Sequence, residues 1–255
     1  MKQTNYNNVT LRILLVLSFL MVTASALYAE DDFLSEDDLY GDFADDSLVV
    51  KDPLQPFNRA IFKFNDYIYV NVIRHVANGY AAITPDFIEK GASNFFQNLK
   101  YPVRLSGNLL QGRLKGARIE TERFLVNTTL GVAGVYKAAD HFKRMQPIEP
   151  EDIGQALGAW GIGEGPYLVL PLLGPSNLRD LFGILGDRTV NPLDQPLSVI
   201  DHWDWKWQFT LGAADFVSGS PALMNLYMQV KENAIDPYSA LKTGYTERRR
   251  AMVEN

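Results

Sequence analysis

Between residues 152 and 183 the chain reads DIGQALGAWGIGEGPYLVLPLLGPSNLRDLFG, and no other segment limits the possible folds as much. Pro166 and Pro171 bracket Tyr167, Leu168, Val169 and Leu170. Proline has no amide hydrogen and its ring clashes with the preceding turn, so an ordinary helix cannot run through this stretch. Glycines at 154, 158, 161, 163, 165 and 174 permit close backbone approach and positive φ. The segment holds no catalytic grouping and predicts a shaped apolar surface. Asp152 is placed to cap a helix over 153–160, and Asn177 with Asp180 three residues later resembles a capping box for a helix over 178–185.

Elsewhere, start and stop signals mark a succession of helices. From Gln55-Pro56 onward, Phe57, Ile61, Phe64, Ile68, Val72 and Val76 recur at helical spacing, and Asn78-Gly79 is the expected end. Phe62, Tyr69 and Ile73 widen the stripe, which suits either a soluble core or acyl chains. Thr84 can cap a second helix that has Pro85 at its first position and Phe87, Ile88, Ala92, Phe95, Phe96 and Leu99 on its apolar side. It should stop before Pro102. A short helix over 102–110, closed at Gly112, precedes a longer one over 114–139 whose Ile119, Phe124, Leu125, Thr129, Val132, Val135 and Tyr136 face inward. Within it Gly131 and Gly134 each cost about 1 kcal/mol relative to alanine, which implies close packing or a break. Ser220-Pro221 and Asp236-Pro237 open two more helices. Strand-like alternation is confined to 166–173 and to Trp203, Trp205, Trp207 and Phe209, a short strand or an amphipathic loop. The expected fold is mainly all-α, with little or no sheet.

Residues 1–29 read as a secretory signal: Lys2 and Arg12 precede an apolar block over 13–22, and cleavage fits after Ala26 or Ala29. The alternative is an uncleaved anchor, although an apolar core of roughly 10 residues falls short of the ~20 that span a bilayer. The chain has no cysteine, so it has no disulfide, thiol nucleophile or thiolate metal ligand. An acidic leader over 30–47 carries nine acids and no base among residues 30–46 and reads as a solvated tail. One domain, 48–250, follows. Its charge is near neutral, and the only dense basic run is Arg248, Arg249 and Arg250 at the end of a helix, where cations are favoured, so nucleic-acid binding is disfavoured.

Catalysis needs a nucleophile, acid or base held by partners. His75, His141 and His202 lie far apart with no metal-ligand spacing, no G-x-S-x-G elbow is present, and capping or surface roles suffice for all three histidines. A glycosidase-type carboxylate pair stays open, but Glu151 and Asp152 are more simply a helix start. The loop at Gly161, Gly163 and Gly165 runs into Pro166, whereas a dinucleotide loop opens a helix. No catalytic residue, metal or cofactor is expected. Trp203, Trp205 and Trp207 mix with His202, Asp204 and Lys206 as at a membrane interface, or pack on the core as an ordinary strand or turn.

Several blocks together resemble one family. Asp52-Pro-Leu-Gln-Pro-Phe-Asn-Arg59 with Phe64-Asn65, Gly91-Ala-Ser-Asn-Phe-Phe-Gln-Asn-Leu99, Asn108-Leu-Leu-Gln-Gly112, Arg123-Phe-Leu-Val-Asn-Thr-Thr-Leu-Gly131, the opening segment through Arg179-Asp180, and Asp236-Pro237-Tyr238 resemble the MlaA (VacJ) family in order and spacing. The resemblance implies a ring-like bundle of short and medium helices with a central amphipathic channel, seated at the inner leaflet of the outer membrane on its periplasmic face. It implies non-enzymatic phospholipid transport that maintains outer-membrane lipid asymmetry, beside a porin-type trimer and with a periplasmic phospholipid shuttle of the MlaC type. The family pattern is an acylated lipoprotein, and this chain has no cysteine to acylate. Signal-peptidase cleavage without acylation, or an uncleaved anchor, is therefore expected. Candidate lipid-channel or membrane-facing residues are Phe57, Phe64, Gly161, Gly163, Gly165, Tyr167, Leu168, Leu170, Leu172, Trp203, Trp205 and Trp207. The competing readings are a soluble periplasmic lipid-binding or scaffolding protein and, behind it, a lipid hydrolase.

Overall fold

In a computed structural model of the protein, residues 50–193 and 205–254 are described. The signal and leader segments, His202 and Trp203 lie outside the described residues. Helix α1 (Gln55–Ile68) passes through one π turn (Tyr69–Ile73) directly into α2 (Arg74–Ile83). Asn78-Gly79 does not end it. The cost of an internal glycine, about 1 kcal/mol, is outweighed by packing of Tyr69, Ile73 and Ala77 against Met224, Tyr227 and Val230 of helix α8 (Trp205–Asn233). The apolar stripe turns outward: Phe57 is 58% and Phe64 47% exposed, and Val72 and Val76 are exposed too. The core-facing side lies about 100° around the helix and begins with Asn58 and Asn65, both buried.

Helix α3 (Asp86–Leu99) starts one place later than expected, with Pro85 in extended conformation as the cap position and no side-chain cap from Thr84. Asp86 and Glu89 in its first turn complement the helix dipole instead. After α4 (Tyr101–Leu110), α5 (Leu114–Thr129) stops well short of 139. Val132, Ala133 and Gly134 take positive φ (53°, 58° and 92°) and reverse the chain, so the two glycines mark a break. Val132, Val135 and Tyr136 consequently face outward, not inward. Two 3-10 turns follow, Ala138–His141 and Lys143–Met145.

Helix α6 (Ile153–Ala159) is capped by Asp152, whose carboxylate accepts the Gln155 N–H at 2.7 Å. Strands β1 (Tyr167–Leu170) and β2 (Gly174–Asn177) then form an antiparallel hairpin, with Tyr167 opposite Asn177 and Leu170 opposite Gly174. Asn177 caps α7 (Leu178–Val190) through the Asp180 N–H at 2.7 Å. Helices α6 and α7 cross at glycines: a Cβ on Gly183 would stand 2.4 Å from Gly154 Cα.

Helix α8 contains Pro221, so Ser220-Pro221 does not open a helix. Proline strips the Val217 carbonyl of its usual amide partner. The Ser220 hydroxyl donates to that carbonyl at 2.8 Å and so repairs the ladder. Trp205, Trp207 and Phe209 lie in this helix, not in a strand, and Trp207 is exposed. Helix α9 (Pro237–Glu254) starts at Asp236-Pro237 as expected.

Candidate functional site

The hairpin after the glycine loop organises the site. One edge of β1 pairs with β2, and the other would leave amides and carbonyls bare. Helix α1 supplies the missing partner with side chains. Asn58 donates to the Tyr167 carbonyl at 3.0 Å and accepts the Val169 N–H at 2.9 Å. Seven residues on, Asn65 donates to the Leu170 carbonyl at 2.8 Å and accepts the Leu172 N–H at 2.7 Å. The Tyr69 hydroxyl donates to the Leu172 carbonyl at 2.8 Å, on a residue held at φ 63°.

Sequence blocks from the two ends of the chain brace this clamp. The Asn58 amide also donates to Asp52 at 2.9 Å, and the Tyr238 hydroxyl donates to the same carboxylate. Arg59 grips Asp236 through two bonds, 3.2 and 2.5 Å, and lies 4.3 Å over the Tyr238 ring. The Asp236 carboxyl is held down to about 2, chiefly by the Arg59 hydrogen bond, which outweighs the opposing effect of burial with help from Ser239.

The clamp decides which hairpin side chains reach the surface. Tyr167 and Val169 pack against Tyr238 and Tyr245, and Leu172 is buried as well. Tyr167 and Leu172 are therefore core residues, because the face of β1 turned toward α9 is filled by tyrosine rings. Leu168 and Leu170 point to the other face and are half-buried. Gly161 and Gly163 stand in an exposed loop with open space where a Cβ would be, while Gly165 (φ 70°) packs near Leu178. That loop is tied down by Glu164: its carboxylate accepts from Arg250 at 2.7 Å and its carbonyl from the Arg179 N–H at 3.2 Å.

A second polar cluster joins α6, α7 and α9. Asp180 accepts from Arg249 at 2.8 Å, Tyr245 at 2.6 Å, Asn177 at 2.8 Å and Arg179 at 2.9 Å. Arg249 also reaches Asp152 at 2.6 and 3.1 Å. Burial alone would raise the Asp180 carboxyl, but the charge and hydrogen bond of Arg249, with Tyr245 and Arg179, hold it below the usual carboxylate range. A carboxyl with a depressed native pKa stabilises the fold above its unfolded value, about 3.9, and the contribution vanishes as pH falls through the native value. Denaturation midpoints measured against pH should therefore drop steeply below about pH 4, and Asp180→Asn should flatten that limb. An unchanged acid limb in the variant would remove Asp180 from the account.

Two further buried acids sit elsewhere. Lys100 pairs with Asp215 at 3.0 Å between the α3–α4 corner and α8, and Glu151 takes the Gln111 amide at 2.6 Å and pairs with Arg113. Burial pushes both carboxyls up, against the pull of their cations. Glu151 is thus more than a helix start. His75 lies exposed within α2, and His141 stacks on Tyr136. Among the described residues no three His, Cys, Asp or Glu side chains gather where they could hold a metal.

Polarity is inverted across much of the molecule. Asn58, Asn65, Asn98, Asn108, Asn127 and Gln155 are buried, while Phe57, Phe64, Ile83, Phe87, Val132 and Phe182 are exposed. No helix among the described residues is long and apolar enough to cross a membrane. The family model described as MlaA lipoprotein matches residues 50–252. The chain belongs to the MlaA family. A Rickettsia felis protein is 31% identical over 96% of this chain and 95% of its own length. The intermembrane phospholipid transport system lipoprotein MlaA of Escherichia coli is 35% identical over 58% of this chain and 61% of its own. A solved structure, from work on the structural basis for maintenance of bacterial outer membrane lipid asymmetry, aligns with a TM-score of 0.66 at 27% identity. It covers 80% of this chain and 100% of that one.

Within this MlaA-family fold, both caps and a short strand or amphipathic loop at 166–173 were legible in the sequence, whereas the second strand (Gly174–Asn177) and what fixes the hairpin were not. Asn58 and Asn65 lie seven residues apart on one flank of an apolar stripe, a spacing that itself signals a polar partner for the helix.

Proposed function

We propose that this chain serves intermembrane phospholipid transport and maintains the lipid asymmetry of the outer membrane. Seated at the inner leaflet on the periplasmic face, it removes mislocalised phospholipids from the outer leaflet through an amphipathic channel and passes them to a periplasmic shuttle of the MlaC type, beside a porin-type trimer. The observation that carries this reading is the inverted polarity: short helices with exposed Phe57, Phe64, Ile83, Phe87 and Phe182 suit shallow embedding in one leaflet. The transport-system name of the Escherichia coli relative supports the same role. Acylation at a cysteine is closed to this chain, so retention rests on the protein surface, the porin-type partner or an uncleaved 1–29 segment. No reaction is assigned to it.

Deleting the gene should raise outer-leaflet phospholipid, and the wild-type chain should restore asymmetry; no rise on deletion would sink the proposal. Leu168→Asp with Leu170→Asp should leave a folded, wild-type-abundance protein that fails to restore asymmetry, since both side chains lie on the hairpin face turned away from Tyr238. Disappearance of the folded protein would instead assign both leucines to the core.

A further inference from the structure

The segment 130–136, Leu-Gly-Val-Ala-Gly-Val-Tyr, joins α5 to the first 3-10 turn. Leu130, Val132, Val135 and Tyr136 all point outward, with Val132 74% exposed. A pliant loop in water would fold such side chains back onto the core. This loop is held rigid. The N–H groups of Ala133, Gly134 and Tyr136 donate to the carbonyls of Thr128, Asn127 and Gly131, each at 2.9 Å. The Asn94 amide donates to the Val135 carbonyl at 3.2 Å, and Asn127 accepts the Ala139 N–H at 2.9 Å. Gly131 and Gly134 are wedged in: a Cβ there would meet Tyr136 O at 2.0 Å or Asn98 Cβ at 2.5 Å.

Val132 and Ala133 occupy the left-handed region, which a β-branched residue rarely enters. A strained backbone therefore holds Leu130 and Val132 in the solvent, while Val135 lies against Gly91 of α3 and Tyr136 stacks on His141, an arrangement that is favourable when something apolar covers the exposed pair. What covers them is indicated by the collar. Lys137 directly follows the apolar tip, and Lys143 and Arg144 are exposed in the second 3-10 turn, which Arg144 joins to Glu122 of α5 at 3.8 Å. The acids nearby, Glu122 and Asp140, are already paired with Arg118 and Arg144 and with Arg123. An apolar tip below a cationic collar matches acyl chains below phosphates.

We propose that 130–136 is a rigid wedge entering the acyl region of an anionic phospholipid leaflet, with Lys137, Lys143 and Arg144 at the phosphates. The proposal rests on the membrane-embedded reading above and assigns retention to one segment.

Flotation of the full chain with vesicles of phosphatidylethanolamine and phosphatidylglycerol tests it. Asparagine tolerates the left-handed region, so Val132→Asn should keep or raise the melting temperature while weakening vesicle binding about tenfold, the factor expected when one buried valine is withdrawn. Lys143→Glu with Arg144→Glu should weaken binding to these vesicles but not to uncharged phosphatidylcholine vesicles. Wild type and Val132→Asn floating equally overturns the wedge alone. Wild type failing to float on any vesicle overturns the membrane reading itself. Equal flotation with loss of porin-trimer co-purification in Val132→Asn hands the surface to a protein partner and also overturns the wedge.

Discussion

Replacing Arg249 with methionine is expected to destabilise the folded chain by about 3–5 kcal/mol, the usual cost of removing one partner from a buried ion network. Arg249 is 3% exposed, and its guanidinium serves Asp152 at the start of α6 and Asp180 at the start of α7. Methionine fills a similar volume but leaves both carboxylates without their main cation. Arg179, Tyr245 and Asn177 would still serve Asp180. For a domain of this size the melting temperature should fall on the order of 10 °C. Adding Asp152→Asn and Asp180→Asn to the same chain should return part of the loss, because neutral amides are cheaper to bury than unpaired carboxylates. A single variant within 1 kcal/mol of wild type would show that the network contributes no more than surface ion pairs do.

The parts of the fold that were legible in sequence are those set by local chemistry. Asp152 and Asn177 cap helices because each carries a side-chain oxygen within reach of an orphan N–H of the first turn, and both bonds form. The strand at Tyr167–Leu170 follows from two prolines that forbid a helix. What was not legible depended on direction. Apolar periodicity in 57–76 and 124–136 marks a face without saying which way it points, and in this chain Phe57, Phe64, Val132 and Tyr136 point out. Nothing in Val132-Ala133 announces a left-handed turn, so α5 looked longer than it is. Alternation of Trp203, Trp205 and Trp207 resembled a strand, yet the described part is helical. For the candidate site, Leu168 and Leu170 survive as surface candidates, whereas Tyr167 and Leu172 went to the core because of partners more than 60 residues away in sequence, which no local pattern contains.

Asn58→Leu should cost about 2–6 kcal/mol, since it strands the Val169 N–H and the Tyr167 carbonyl in the interior at about 1–3 kcal/mol each. Hydrogen exchange separates this clamp from general packing. Asn58→Leu should deprotect the Val169 amide first and Asn65→Leu the Leu172 amide first, because each asparagine accepts from only one of them. Uniform deprotection of the whole hairpin by either change would mean that the two residues act merely as filler. Asn58→Asp dissects the same bond pair: a carboxylate can still accept from Val169, but it cannot donate to Tyr167 or Asp52, and it meets the Asp52 charge across what was a 2.9 Å bond. It should therefore be worse than leucine at neutral pH and recover as acid protonates it, the opposite slope to that expected for Asp180. The double Asn58→Leu, Asn65→Leu chain should lose less than the sum of the singles, because a hairpin released at one end no longer presents its other end to the helix.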